Sequence, residues 1–151
     1  MTISIDDLSA GDVIMLLEEH LADMYATSPP ECVHALDVNK LKDPAITFFA
    51  GRQENLLMGC IAIKRLSETH GEIKSMRTPS NARRTGAGKQ LLAHVVRFAR
   101  DAGYKKLLLE TGSMAFFEPA RQLYLSFGFE FCRPFGDYPD DPNSCFMQKI
   151  L

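Results

Sequence analysis

Residues 82–92 read "ARRTGAGKQLL": two arginines, two glycines around one alanine, a lysine, and then an apolar run. Glycines let a backbone close in on a ligand, and the apolar residues that follow open a helix. The first amides of a helix lack intrahelical acceptors, and its dipole favours an anion at that end. The stretch is either an anion cradle at a helix start or a plain helix start with a solvated basic cluster. A Walker A loop fits poorly. Gln90 follows Gly88-Lys89 where a Mg²⁺-holding hydroxyl is needed, and Arg83 stands at the first glycine position. A dinucleotide fingerprint fits poorly too, because Leu91 replaces the third glycine. The pattern R-x-x-G-x-G is met by Arg83, Gly86 and Gly88. Ala87 lies between the glycines, Arg84 and Lys89 add charge, and Thr85 adds a hydroxyl donor.

Outward from the loop, the chain alternates strands and helices. "TISI" is a short first strand; Ile14, Leu17, Leu21 and Met24 fall at helical spacing behind a cap at Ser9 or Asp12. "HALDVNKLK" is a short second helix ended by Pro44. "ITFFA" and "LLMGCIAIKRL" read as strands around a turn at residues 51–55, and the second pairs across "SETHG" with "EIKSMRT". After the loop, Leu91, Leu92, Val95, Phe98, Ala99 and Ala102 trace one helix face, stopped at Gly103. "YKKLLLET" reads as a buried parallel strand. "FFEPARQLYLSFG" is a helix with Pro119 in its first turn and Gly128 as its stop. "FEFCRPF" and "SCFMQKIL" close the chain as strands. The order β-α-α-β-β-β-α-β-α-β-β predicts a mixed sheet with helices on its faces.

A length of 151 residues predicts one domain, and 46% hydrophobic residues are enough for a core. A net charge of −2 gives no bulk case for nucleic acid or an acidic membrane. The start "MTISIDDLSAGD" lacks a signal peptide's pattern, and Cys32, Cys60, Cys132 and Cys145 form no C-x-x-C pair, so reduced thiols in the cytoplasm are expected. The histidines have no metal-ligand spacing, and no metal is expected.

The loop and its flanks resemble the GNAT superfamily of acetyl-CoA-dependent N-acetyltransferases over most of the chain. "EIKSMRTPSNARRTGAG" resembles that family's fourth strand running into its coenzyme loop. "ETGSMAFFEPARQLYLSFGFE" resembles its later strand, helix and A-x-x-x-Y-x-x-x-G-F signature, here Ala120, Tyr124, Gly128 and Phe129. "HALD", "EIKSMR", "LETG" and "PFGDYPDDPNS" resemble a bacterial subgroup of small GNAT proteins. The resemblance implies a single α/β domain over residues 1–151, with a mixed, mostly antiparallel sheet of about seven strands and about four helices on both faces. It implies acetyl-CoA as co-substrate and a primary amine as acceptor, and it allows a homodimer. A protein N-terminus or lysine as acceptor, or a CoA-binding module without turnover, are the alternatives.

The implied chemistry needs a base, because a lysine-like amine of pKa about 10.4 is mostly ammonium at neutral pH. Glu72, at the head of the strand before the loop, is the candidate base; it reads equally as a surface glutamate at a strand start. Tyr124 is the candidate acid for the departing thiolate, and otherwise a core tyrosine beside Leu123 and Phe127. The resemblance implies that the backbone of Met76, Arg77 and Thr78 holds the pantetheine arm, with the Met76 amide on the oxyanion. Phe117 stands where the family often has a coenzyme-binding asparagine, and Thr111 or Ser113 is the candidate substitute. By the period-two rule Glu72, Lys74 and Met76 share one strand face. The resemblance puts His34, Arg133 and Tyr138 in segments that flank the acceptor groove; with Lys74 they are expected to bind an amino-acid-like acceptor through a carboxylate, and Lys74 and Arg77 read equally as ordinary strand charges.

Overall fold

The computed structural model describes residues 1–27 and 38–151; His34 and Cys32 fall outside the described residues. The elements follow the predicted order: β1 (Thr2–Ile5), α1 (Asp12–Thr27), α2 (Val38–Leu41), β2 (Ile46–Gln53), β3 (Leu56–Arg65), β4 (His70–Arg77), α3 (Ala87–Asp101), β5 (Lys106–Gly112), α4 (Glu118–Ser126), β6 (Glu130–Cys132) and β7 (Ser144–Ile150). They build one seven-stranded sheet in the order β1-β2-β3-β4-β5-β7-β6. Of its strand pairs, β4–β5 is parallel and the others are antiparallel.

Alternation along the strands sorts two cores. Phe49, Ile61, Ile63, Ile73, Leu107 and Leu109 pack with Leu91, Leu92 and Val95 of α3 and Tyr124 of α4. The intervening Phe48, Ala50, Cys60 and Ala62 pack with Val13, Leu16 and Leu17 of α1 on the other face. Each fully buried leucine or valine contributes about 1.5–3 kcal/mol relative to exposure. Among the described residues no helix is long and apolar enough to cross a membrane.

Three local readings are narrowed or corrected. The β2–β3 turn is shorter than residues 51–55, because Glu54 (φ 53°) and Asn55 (φ 66°) make a two-residue left-handed turn that lets both strands run on. Of the two caps the sequence offers, Asp12 is the one at the helix start: it opens α1 and its Oδ1 accepts from the Val13 amide at 2.9 Å, while Ser9 bonds Asp7. Arg52 then ties the cap to the sheet, lying 2.8 Å from both Asp6 and Asp12.

The third correction shapes the site. β4 and β5 stay paired only from His70↔Lys106 to Ile73↔Leu109, and then part. On the other edge of β4, Lys74 pairs with Ala62 and Arg77 with Cys60, so three steps on β4 oppose two on β3. The extra residue is a bulge at Ser75, whose φ is +54° and whose carbonyl accepts from the Cys60 thiol at 3.3 Å. The bulge breaks the period of two. Glu72 and Lys74 point to the α1 face, opposite Ile73, whereas Met76 packs into the α3/α4 core and Arg77 returns to the α1 side. Met76 therefore does not share a face with Glu72 and Lys74.

Candidate active site

A cleft of about 770 Å³ opens where β4 and β5 part. It runs from Glu72 and Tyr138 past Tyr124 to Gly86, Gly88 and Lys89 at the start of α3.

At that end Gly86 adopts φ +85° and offers no side-chain cap to α3. The amides of the first turn are therefore left to an external acceptor. Arg84 is also left-handed, at φ +64°, which turns the chain sharply into the helix. A Cβ placed on Gly88 would find Leu123 at 3.6 Å, an ordinary contact, so the fold itself does not demand glycine there. Arg83, Arg84 and Lys89 line this end. Thr85 departs from expectation: its hydroxyl donates to the Ala82 carbonyl at 2.6 Å and is used in closing the loop.

At the other end sits Glu72, 4% exposed and the one buried charged residue among the described residues. The Tyr138 hydroxyl donates to its Oε2 at 2.6 Å. Lys74 Nζ lies 3.6 Å from the same oxygen and donates to the Tyr138 hydroxyl at 3.4 Å. Phe135 and Phe146 hold the Tyr138 ring edge-on at 5.2 and 5.6 Å, fixing the loop against β7. Burial first, then the hydrogen bond and charge of Glu72, hold the Tyr138 phenol protonated well above its ordinary range. Lys74 is thus engaged by Glu72 and Tyr138.

Between the ends, the Tyr124 ring is buried in the α3/α4 core and its hydroxyl points to Met76 Sδ at 3.9 Å. Burial, and secondarily the charge of Glu110, push this phenol upward as well. Phe117 fits the fold because residue 112 is glycine: a Cβ there would fall 2.1 Å from the Phe117 ring. Ser113 donates to the Pro142 carbonyl at 2.7 Å, tying down the last loop, whereas Thr111 lines the cleft.

The α1 wall carries residues that sequence reasoning missed. His20 and Met24 face the cleft beside Arg77, Phe116 and Asn143. Arg77 forms an ion pair with Asp23, which also lies 3.5 Å from Arg83. The Arg77 guanidinium sits 5.6 Å from the Phe116 ring centre. Burial, then the charge of Arg83, lower the Arg77 pKa, opposed by Asp23 and Glu19. Burial, then the charge of Arg77, hold the His20 imidazole down to about 4, so it is neutral at pH 7. One signal for His20 existed in the sequence: it lies three residues after buried Leu17 and four before Met24, a polar break in an inward stripe.

Of the sequence candidates, the cleft brings together Glu72, Lys74, Met76, Arg77, Thr78, Arg83, Arg84, Gly86, Ala87, Gly88, Lys89, Tyr124 and Tyr138. Arg133 is not among them: it is exposed just past β6 and lies outside the cleft lining.

The sequence profile of the Acetyltransferase (GNAT) family matches residues 13–129. The N-acetyltransferase YsnE of Bacillus subtilis (strain 168), itself uncharacterized, is 54% identical over 151 residues, covering all of both chains. The IAA acetyltransferase of Azospirillum brasilense is 40% identical over 144 residues, covering 92% of this chain and 90% of its own. A Klebsiella pneumoniae structure described as an acyl-CoA N-acyltransferase superposes with a TM-score of 0.84 at 28% identity, over 99% of this chain and 97% of that one. The chain belongs to the GNAT acetyltransferase family. It is an acyltransferase, and acetyl-CoA is its donor. The cleft suits that donor, with an uncapped helix start and three cations at one end and strand backbone freed from β5 along its length.

Proposed function

We propose that this chain moves an acetyl group directly from acetyl-CoA to the primary amine of a small, carboxylate-bearing acceptor, with both substrates in the cleft at once. One observation carries the reading: a buried carboxylate, Glu72, and a buried phenol, Tyr124, both line the cleft that ends at the uncapped start of α3. The loop amides at Gly86, Ala87 and Gly88, with Arg83, Arg84 and Lys89, hold the pyrophosphate. The backbone of Met76, Arg77 and Thr78, past the end of the β5 pairing, holds the pantetheine arm.

Glu72 takes a proton from the acceptor ammonium, directly or through one water, and the amine nitrogen then bonds to the thioester carbon. The Met76 amide meets the oxyanion that develops there. Tyr124 donates its proton to sulfur as the C–S bond breaks, and the proton lost by the new amide nitrogen returns to Tyr124 through solvent. The raised phenol makes full transfer to a thiolate of ordinary pKa about 8.5 uphill. Tyr124 therefore acts with bond cleavage rather than before it. The same cleft also takes the coenzyme arm, which favours a small acceptor over the terminus of a folded protein.

The test is release of CoA thiol from acetyl-CoA with amino acids and simple amines as acceptors. Glu72→Gln and Tyr124→Phe are each expected to lose about 10²–10⁴-fold in turnover while binding acetyl-CoA as the parent does. Parental turnover in either variant removes that residue from the mechanism.

A further inference from the structure

The acceptor end of the cleft carries two kinds of charge. Glu72, on the α1 face of β4, and Glu110 of β5 both line this end, and their carboxylates suit an ammonium. Lys74 and Arg77 each face a carboxylate already, Glu72 and Asp23, but Lys74 Nζ also donates to the Tyr138 hydroxyl, and among the described residues Arg77, not Lys74, keeps a buried nitrogen without a partner. Arg133 lies outside the lining. What remains on the α1 face is Arg77. Its side chain is 10% exposed, its ion pair with Asp23 uses one terminal nitrogen, and its buried Nε has no hydrogen-bond partner among the described residues. The buried Nδ1 of His20, on the same wall, also has none. Two buried polar atoms without partners among the described residues, on side chains close enough for the charge of Arg77 to act on His20, are costly in a finished core. Both residues line an open cleft, where a ligand can satisfy them. Phe116, against the Arg77 guanidinium, holds that fork in place.

We propose that Arg77 and His20 form the carboxylate subsite of the acceptor, so that the acceptor is an amino acid, held by its carboxylate on the α1 wall with its amine toward Glu72. The inference rests on the direct-transfer reading above. Arg77 gives a charge-assisted bond from Nε, on the guanidinium edge it shares with the terminal nitrogen that meets Asp23. The neutral His20 imidazole, protonated at Nδ1, donates the second contact. Asp23, on a terminal nitrogen of the same guanidinium, sets its orientation.

The experiment compares the common L-amino acids with their matching amides as acceptors, by release of CoA thiol. Binding of acetyl-CoA is measured separately by calorimetry. The parent protein is expected to prefer the acid over its amide by tenfold or more in kcat/KM. Arg77→Gln is expected to erase that preference by slowing the acid far more than the amide, Arg77→Lys to restore part of it, and His20→Ala to raise KM for the acid several-fold more than for the amide. If these variants slow acid and amide equally, or keep the parental ratio, the subsite is refuted. Acetylation only of amines without a carboxylate, or of no amino acid by a protein that binds acetyl-CoA, overturns it as well and leaves the coenzyme site standing. Failure to bind acetyl-CoA is a different result, which removes the transferase reading itself.

Discussion

Replacing His20 with glutamine should flatten the acid limb of the stability curve. In the folded chain the imidazole is buried on the α1 wall, and that burial, helped by Arg77, takes its pKa from 6.5 to about 4. The unfolded chain gains a proton below pH 6.5, whereas the folded chain resists it until about pH 4. His20 therefore supports the folded state fully above pH 6.5, and that support drains away as the pH falls toward 4. At 1.36 kcal/mol per unit, the shift is worth about 3 kcal/mol across the window. For a chain of this size that is a fall of roughly 6–12 °C in Tm beyond whatever the other groups contribute. Urea denaturation of the parent and of His20→Gln at pH 7.5 and pH 4.5 isolates the term, since the carboxylates are common to both. The parent should lose about 3 kcal/mol more than the variant. Parallel losses in the two proteins would mean that His20 titrates normally and is not buried neutral beside Arg77.

Other outcomes follow from the loop and the buried cluster. Gly86→Ala forces a side chain into φ +85° and should cost about 1–2 kcal/mol in urea denaturation; no cost would contradict the left-handed start of α3. Gly88→Asp has room against Leu123 and should fold normally, yet it sets a carboxylate where phosphate belongs. Acetyl-CoA affinity should fall tenfold or more by calorimetry, and unchanged affinity would mean the loop is misassigned. Tyr138→Phe keeps the ring against Phe135 and Phe146 but removes the bond to Glu72. Loss of a hydrogen bond to a charged group, about 1.5–3 kcal/mol, should lower kcat/KM by roughly 10–100-fold. An unaffected kcat/KM would separate Tyr138 from the work of Glu72.

The element order was legible because each segment carries its own period: Phe48 and Phe49 split between two cores, and Leu91, Leu92 and Val95 fall on one helix face. What escaped was set by tertiary packing. Nothing local marks Ser75 as left-handed, so the bulge that sends Met76 away from Glu72 could not be read from "EIKSMRT". The insertion of β7 between β5 and β6 depends on long-range pairing, from Lys106↔Ile150 to Gly112↔Ser144, and not on either strand alone. Tyr138 was found as a loop tyrosine, but its bond to Glu72 spans 66 residues of sequence. Arg133 shares that loop and stays outside the cleft, since segment membership does not fix direction. The histidines were weighed only for metal spacing and Asp23 not at all, and neither that spacing nor the apolar period of α1 reveals Arg77 on β4 as their neighbour. The fit of Phe117 is visible only beside Gly112, whose missing side chain leaves room for the ring.

Calorimetric titration with acetyl-CoA, run beside ATP–Mg²⁺, tests the central claim most directly. Binding of acetyl-CoA at micromolar concentrations, none of ATP–Mg²⁺, and loss of the acetyl-CoA signal in Gly88→Asp are expected. No heat with acetyl-CoA, or a signal that survives in Gly88→Asp, would contradict the assignment of residues 83–89 to the donor.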